Sequence, residues 1–180
     1  LRAGPAYGGS CFPKDTKALV VTGNKFKVNL SIIKSVIKSN NERKKLLTNR
    51  VQKVLLNKIK NKVIAFLGVT FKSNTDDMRG STSLIMIPKL SKKGAYIKYY
   101  DPTGLKNEFS KLKNVKFCND IATTCHKADL IIIHTEWDEF KSIDFQKIIK
   151  KKNFKIFDMR NLYSVNYMKK KGIKYFSIGR

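Results

Sequence analysis

The chain has 180 residues, 42% of them hydrophobic, and a formal net charge of +25 from 38 Lys and Arg against 13 Asp and Glu. That length holds one full domain and part of another; three cysteines without paired spacing imply no disulfide framework and fit a reducing cytosol, and no apolar run reaches the roughly 18 residues of a membrane-spanning helix. Lysine outnumbers arginine 32 to 6 over the whole length, which reads as compositional bias rather than a nucleic-acid stripe, although such a surface would still attract small polyanions.

The chain opens on Gly4-Pro5-Ala6-Tyr7-Gly8-Gly9-Ser10-Cys11-Phe12-Pro13-Lys14-Asp15. Glycine allows close approach of the backbone to a ligand, and proline fixes the turn on either side of the thiol. A lysine and nearby amides would favour the attacking, anionic form of the sulfur. Asp15 could turn back to the same place, to orient or deprotonate a water, if a helix starts near Pro13. The competing reading is a glycine-rich turn around a buried, inert cysteine.

A short helix follows over 15–21, broken by Gly23, Asn24 and Lys25. A long helix then spans 31–57, with Ile33, Ile37, Asn40, Leu47, Val51 and Val54 at helical spacing. The polar run 38–45 weakens its apolar stripe, and a helix of this kind wants a partner. The texture changes near 57–61, which divides a first unit, 1–57, from a second, 58–180. Strands are expected at 62–70, 96–100, 115–118, 130–134, 155–158 and 174–178, alternating with helices at 83–93, 120–126, 144–151 and 165–171. Six strands in alternation with helices predict an α/β fold with a doubly wound, Rossmann-like parallel sheet.

Ligands of such sheets sit beyond the carboxyl ends of the strands. The first strand runs into Gly68-Val69-Thr70-Phe71-Lys72, one glycine where a dinucleotide fold shows G-x-G-x-x-G, so no NAD site is expected in this sheet. Phe71 could stack on a base or sugar and Lys72 could meet a diphosphate. Asp76 and Asp77 read as a solvated loop, a cap or an ion pair with Arg79, ahead of a paired acid and base or a metal site. Asp101 reads as a turn residue before Pro102. Cys118, Cys125 and His126 lack a zinc spacing and read as buried thiols beside a histidine. Arg160 follows the fifth strand at the ligand edge.

The string from Gly8 to Leu19, G-G-S-C-F-P-K-D-T-K-A-L, resembles the active-site cysteine motif of the UDP-glucose 6-dehydrogenases, in the UDP-glucose/GDP-mannose dehydrogenase family. The string over 67–79, L-G-V-T-F-K-S-N-T-D-D-M-R, resembles the opening of that family's C-terminal domain, in the family's order. The resemblance implies two successive oxidations of the sugar 6-hydroxymethyl group with NAD, through a thiohemiacetal and a thioester on Cys11, with Asp15 assisting water. It implies that Leu1, Arg2, Ala3, Gly4, Gly8, Phe71, Lys72 and Arg160 bind the sugar nucleotide, that Lys14 and Arg79 touch NAD, and that the long helix carries a homodimer contact. Phe12-Pro13-Lys14-Asp15 tilts the substrate towards UDP-glucose; GDP-mannose or another nucleotide sugar, or a non-catalytic nucleotide-sugar-binding remnant, are the alternatives. Tyr7 stands where the family usually has phenylalanine, and Ala6 where it usually has glycine. The resemblance covers only the family's later part, without the NAD-binding domain, so the chain reads as a C-terminal portion that is inactive by itself.

Overall fold

A computed structural model of the protein describes residues 4–149 and 153–179. Two helices, α1 (Cys11–Lys25) and α2 (Ser31–Val54), precede an alternating series: β1 (Val63–Leu67), α3 (Ser83–Lys92), β2 (Tyr96–Tyr100), β3 (Val115–Phe117), α4 (Ile121–Cys125), β4 (Leu130–Ile133), α5 (Phe145–Ile148), β5 (Lys155–Asp158), α6 (Val165–Lys170) and β6 (Lys174–Ser177). The six strands form one parallel sheet in the order β3-β2-β1-β4-β5-β6. This is the Rossmann-like α/β sheet that the alternation predicts. The strand order reverses between β1 and β4, and the crevice beyond their carboxyl ends is where such sheets take ligands.

Both faces of the sheet are covered, and the period-2 alternation of the strands sorts their side chains. Ile64 and Phe66 of β1, with Ile97, Tyr99, Leu130, Ile132 and Phe157, pack under Met86, Ile87 and Leu90 of α3. Ala65, Leu67, Ile131, Ile133 and Ile156 face the other way, onto Cys125, Phe140, Phe145 and Met168. Leu47, Val51 and Val54, at helical spacing on α2, join the first of these cores. The lower half of α2 is thereby part of the sheet domain's packing, and two cations fasten it. Arg50 donates to the Ser177 carbonyl at 2.8 Å, and Lys155 to the Val54 carbonyl at 2.5 Å. The upper half of α2 leaves Ile32 and Val36 exposed, and α1 exposes Leu19 and Val21.

Several element ends differ from expectation for local reasons. The first helix starts at Cys11 rather than near Asp15 and runs straight through Gly23, Asn24 and Lys25. Gly23 does not end it. A Cβ there would stand 2.6 Å from Leu30 Cδ1, so glycine is needed for the returning chain to pack. The second helix stops at Val54 because Leu56 and Asn57 take left-handed backbone, φ 54° and 61°. The first strand stops at Leu67 because Gly68 turns the chain at φ +76°, against Thr135. The helix expected over 144–151 is a single turn, Phe145–Ile148, whose expected tail at 150–151 lies outside the described residues.

Candidate functional site

Two buried carboxylates shape the ligand edge of the sheet. Asp101, at the end of β2, accepts from the backbone N–H groups of Val69 and Thr70 on Oδ2 and from the backbone N–H and the hydroxyl of Thr103 on Oδ1. It is more than a turn residue: it braces the loop after β1 and is engaged at the position where dinucleotide folds keep a ribose-binding acid. Asp158, at the end of β5, accepts from the amides of Arg160, Leu162 and Tyr163 and from the Tyr175 hydroxyl.

Arg160 then reaches across the crevice. Its Nε donates to the His134 carbonyl at 2.9 Å, and its Nη2 to the Phe71 carbonyl at 2.6 Å. Glu136 Oε2 lies 2.8 Å from the same Nε, close enough for charge attraction, although that nitrogen's one proton is aimed at His134. Burial pulls the guanidinium below its ordinary value, with Glu136 and Asp158 acting the other way. A Cβ on Gly4 would stand 2.9 Å from Arg160 Nη1, so the arginine also meets the start of the cysteine loop.

That loop lies across the loop after β1. Gly9 N–H donates to the Arg79 carbonyl at 2.6 Å. A Cβ on Gly8 would stand 2.8 Å from the Gly80 oxygen, and one on Gly9 would meet the Phe71 ring at the same distance. Gly8 and Gly9 are required because backbone touches backbone and ring at van der Waals range. From the other side α2 grips the loop. Asn40 accepts from Tyr7 N–H and donates to the Tyr7 carbonyl, Arg43 donates to the Pro5 and Gly4 carbonyls, and Lys44 donates to the Gly80 carbonyl at 2.7 Å. The sequence places Asn40 on the packed face but gives none of the three a task, since 38–45 reads only as a polar break in the apolar stripe. Their one signal is polar residues on the face that carries Ile33, Ile37 and Leu47.

Cys11 is exposed at the first position of α1, which settles the sequence ambiguity against a buried cysteine. A helix N-terminus carries unpaired amides and tolerates an anion. Ser10 Oγ lies 3.5 Å from the sulfur. Asp15, one helical turn on, is exposed and pairs with Lys14 at 3.6 Å. Arg79 closes a two-point pair with Asp77, which holds the Asp77 carboxyl below the usual carboxylate range. Lys14 and Arg79 line one cavity of about 490 Å³ between α1, α2 and the 79–80 turn, together with Lys17 and Lys44. Lys72 is exposed, its ammonium 5.5 Å from the Phe71 ring. Thus Gly4, Gly8, Phe71, Arg79 and Arg160 meet around the crevice, Cys11 stands near enough to Arg79 for their charges to interact, and Leu1, Arg2 and Ala3 lie outside the described residues. Cys118 and Cys125 are buried free thiols, and burial pushes Cys125 up to about 12. Among the described residues no group of three or more His, Cys, Asp or Glu is placed to hold a metal, and no helix is long and apolar enough to cross a membrane.

The fold and site together define a doubly wound ligand-binding sheet with an exposed cysteine loop docked at its crevice. The sequence pattern of the UDP-glucose/GDP-mannose dehydrogenase family's UDP binding domain matches residues 65–165, and that of the family's central domain matches residues 1–42. The chain therefore belongs to the UDP-glucose/GDP-mannose dehydrogenase family. It is 40% identical over 182 residues to the UDP-glucose 6-dehydrogenase of Rickettsia felis, covering 99% of this chain and 41% of that protein. The structure superimposes on an NDP-N-acetyl-D-galactosaminuronic acid dehydrogenase from Methanosarcina mazei with TM-score 0.83 and 25% identity, over 100% of this chain and 40% of that one. It superimposes on a UDP-glucose dehydrogenase from Pyrobaculum islandicum with TM-score 0.78 and 25% identity, over 96% and 38%. The chain spans about two fifths of the length of these relatives.

Proposed function

We propose that the chain provides the cysteine and the sugar-nucleotide side of an NAD-dependent enzyme that oxidises UDP-glucose to UDP-glucuronate. The observation that carries this reading is the exposed Cys11 at the head of α1, in a loop held against the crevice of a sheet matching a UDP binding domain. The UDP-sugar would lie along the crevice, against Gly4 and Gly8, with Phe71 under a ring, Lys72 at the diphosphate and Arg160 at the inner wall. Cys11 would attack the 6-aldehyde and hold it as a thiohemiacetal. Loss of a second hydride leaves a thioester, which water assisted by Asp15 cleaves to the acid. Covalent capture keeps the aldehyde bound and divides a difficult oxidation.

The sheet itself does not suit NAD, since the turn out of β1 over 68–72 has a single glycine in place of G-x-G-x-x-G and Asp101 is engaged. The cationic cavity holding Lys14 and Arg79 does suit a dinucleotide diphosphate, and those two residues would hold it there. NAD, when bound, would take up the two hydrides. The chain by itself is expected to bind nucleotide sugar without turnover. A second copy would dock on the exposed apolar residues of α1 and α2 to form a homodimer, and the free thiols fit a reducing compartment such as the cytosol.

The test is alkylation of the folded chain with iodoacetamide, followed by peptide mass mapping. One adduct is expected, on Cys11, and Cys11→Ser should abolish it while Cys118 and Cys125 react only after unfolding. Saturating UDP-glucose should slow the reaction about tenfold and GDP-mannose should not. Equal protection by the two would overturn the choice of sugar, and an unreactive Cys11 would overturn the nucleophile.

A further inference from the structure

Lys44 is an unusual lysine for this chain. Most lysines here are solvated, but this one is 8% exposed in the middle of α2 and ends on a backbone carbonyl, that of Gly80. An apolar side chain of similar length would fill the space without desolvating a charge. The ammonium adds a directional grip on one peptide group. Burial, then repulsion from Lys17, lowers its pKa, so the arrangement is held against an electrostatic cost. The gripped peptide stands in a short chain of contacts leading to the thiol. Gly80 has φ +68° and packs on Gly8; one residue earlier, the Arg79 carbonyl receives the Gly9 amide, two positions before Cys11. Asn40 and Arg43, on the same stretch of α2, hold Tyr7 and Pro5 at the other end of the loop.

We propose that Lys44 is a positioning residue for Cys11: by gripping the Gly80 carbonyl it holds the Gly80–Ser81 peptide, and through Gly80 the adjoining Arg79 carbonyl on which the cysteine loop rests, and so sets where the thiol stands relative to Arg79. The inference rests on the reading of Cys11 as the reactive nucleophile. It assigns the interruption in the stripe of α2 a task in the chemistry of a loop more than thirty residues away in sequence.

Alkylation rates of Cys11 in the full chain test it, with neutral iodoacetamide and anionic iodoacetate in parallel. Lys44→Met should slow both reagents about tenfold, since a displaced nucleophile loses its environment. Lys44→Arg, which keeps a cationic donor, should return both to within about threefold of the parent. Gly8→Ala keeps every charge but sets a Cβ 2.8 Å from the Gly80 oxygen; it should slow both reagents as Lys44→Met does. Arg50→Met, which loosens α2 far from the loop, should leave both rates unchanged. If Lys44→Met does not fold, Lys44→Gln is read in the same way. Slowing of iodoacetate alone would mark a bare charge effect and overturn the positioning role, as would parent-like rates in Lys44→Met or Gly8→Ala. A parent thiol inert to both reagents would instead overturn the reading of Cys11, and this inference with it.

Discussion

His134 shows how much one buried atom can decide. Thr135 Oγ1 donates to the Thr70 carbonyl, so only its lone pairs remain for His134 Nδ1, 3.1 Å away. The proton must therefore sit on Nδ1, which leaves Nε2 as a buried acceptor without a hydrogen-bond partner. Desolvation, with Arg160 nearby, pulls the ring down to about 3 from 6.5. The sign of the consequence follows from linkage. Between those values the unfolded chain takes up a proton that the folded one refuses, so stability rises with pH across the window and is fully present above it. Acidification from pH 6.5 towards pH 5 should cost up to about 1.4 kcal/mol per pH unit from this residue. Urea unfolding at pH 7 and pH 5 measures it. His134→Phe, against the neighbouring Phe66, should flatten the dependence, and an unchanged slope would remove His134 as its source.

At the scale of elements, the ligand edge depends on carboxylates that close strand ends on themselves. Asp158 serves four donors and keeps the turn between β5 and α6 in place, with Arg160 inside that turn. Asp158→Ala leaves those groups buried without an acceptor, and a loss of roughly 3 kcal/mol is expected in the urea midpoint. A change below about 1 kcal/mol would mean that the turn finds other partners. The same scale shows what the sequence could convey. Strands β2 and β5 fall where their apolar alternation and turn residues place them, because those signals are local. The end of α1 was misplaced because glycine in a helix usually stops it, whereas Gly23 is there to let Leu30 approach. The apolar–polar pattern of α2 was legible, but not the reason for its break, since Asn40, Arg43 and Lys44 bind a loop distant in sequence.

For the whole molecule, the division of α2 is the main feature. Its lower half is locked into the sheet's core by Leu47, Val51 and Val54, while its upper half offers Ile32, 77% exposed, beside Val36 and the apolar residues of α1. Such a surface on a chain with net charge +25 favours a partner that buries apolar area at one place while like charges keep copies apart elsewhere. Sedimentation should therefore show a dimer that strengthens with added salt, which screens the repulsion. Ile32→Glu should weaken association by about tenfold or more without changing the melting of the sheet domain. A monomer at all salt concentrations would refute the helical interface.

The sequence by itself determined the alternation of strands and helices, the family and the cysteine loop, because periodicity and motif are written in neighbouring residues. Only the tertiary structure decided that Asp101 braces the loop after β1, that Arg160 spans from β4 to that same loop, and that Lys44 stands behind Gly80. These contacts join residues tens of positions apart, and a buried polar group declares its partner only when packing excludes the water that would otherwise serve as one.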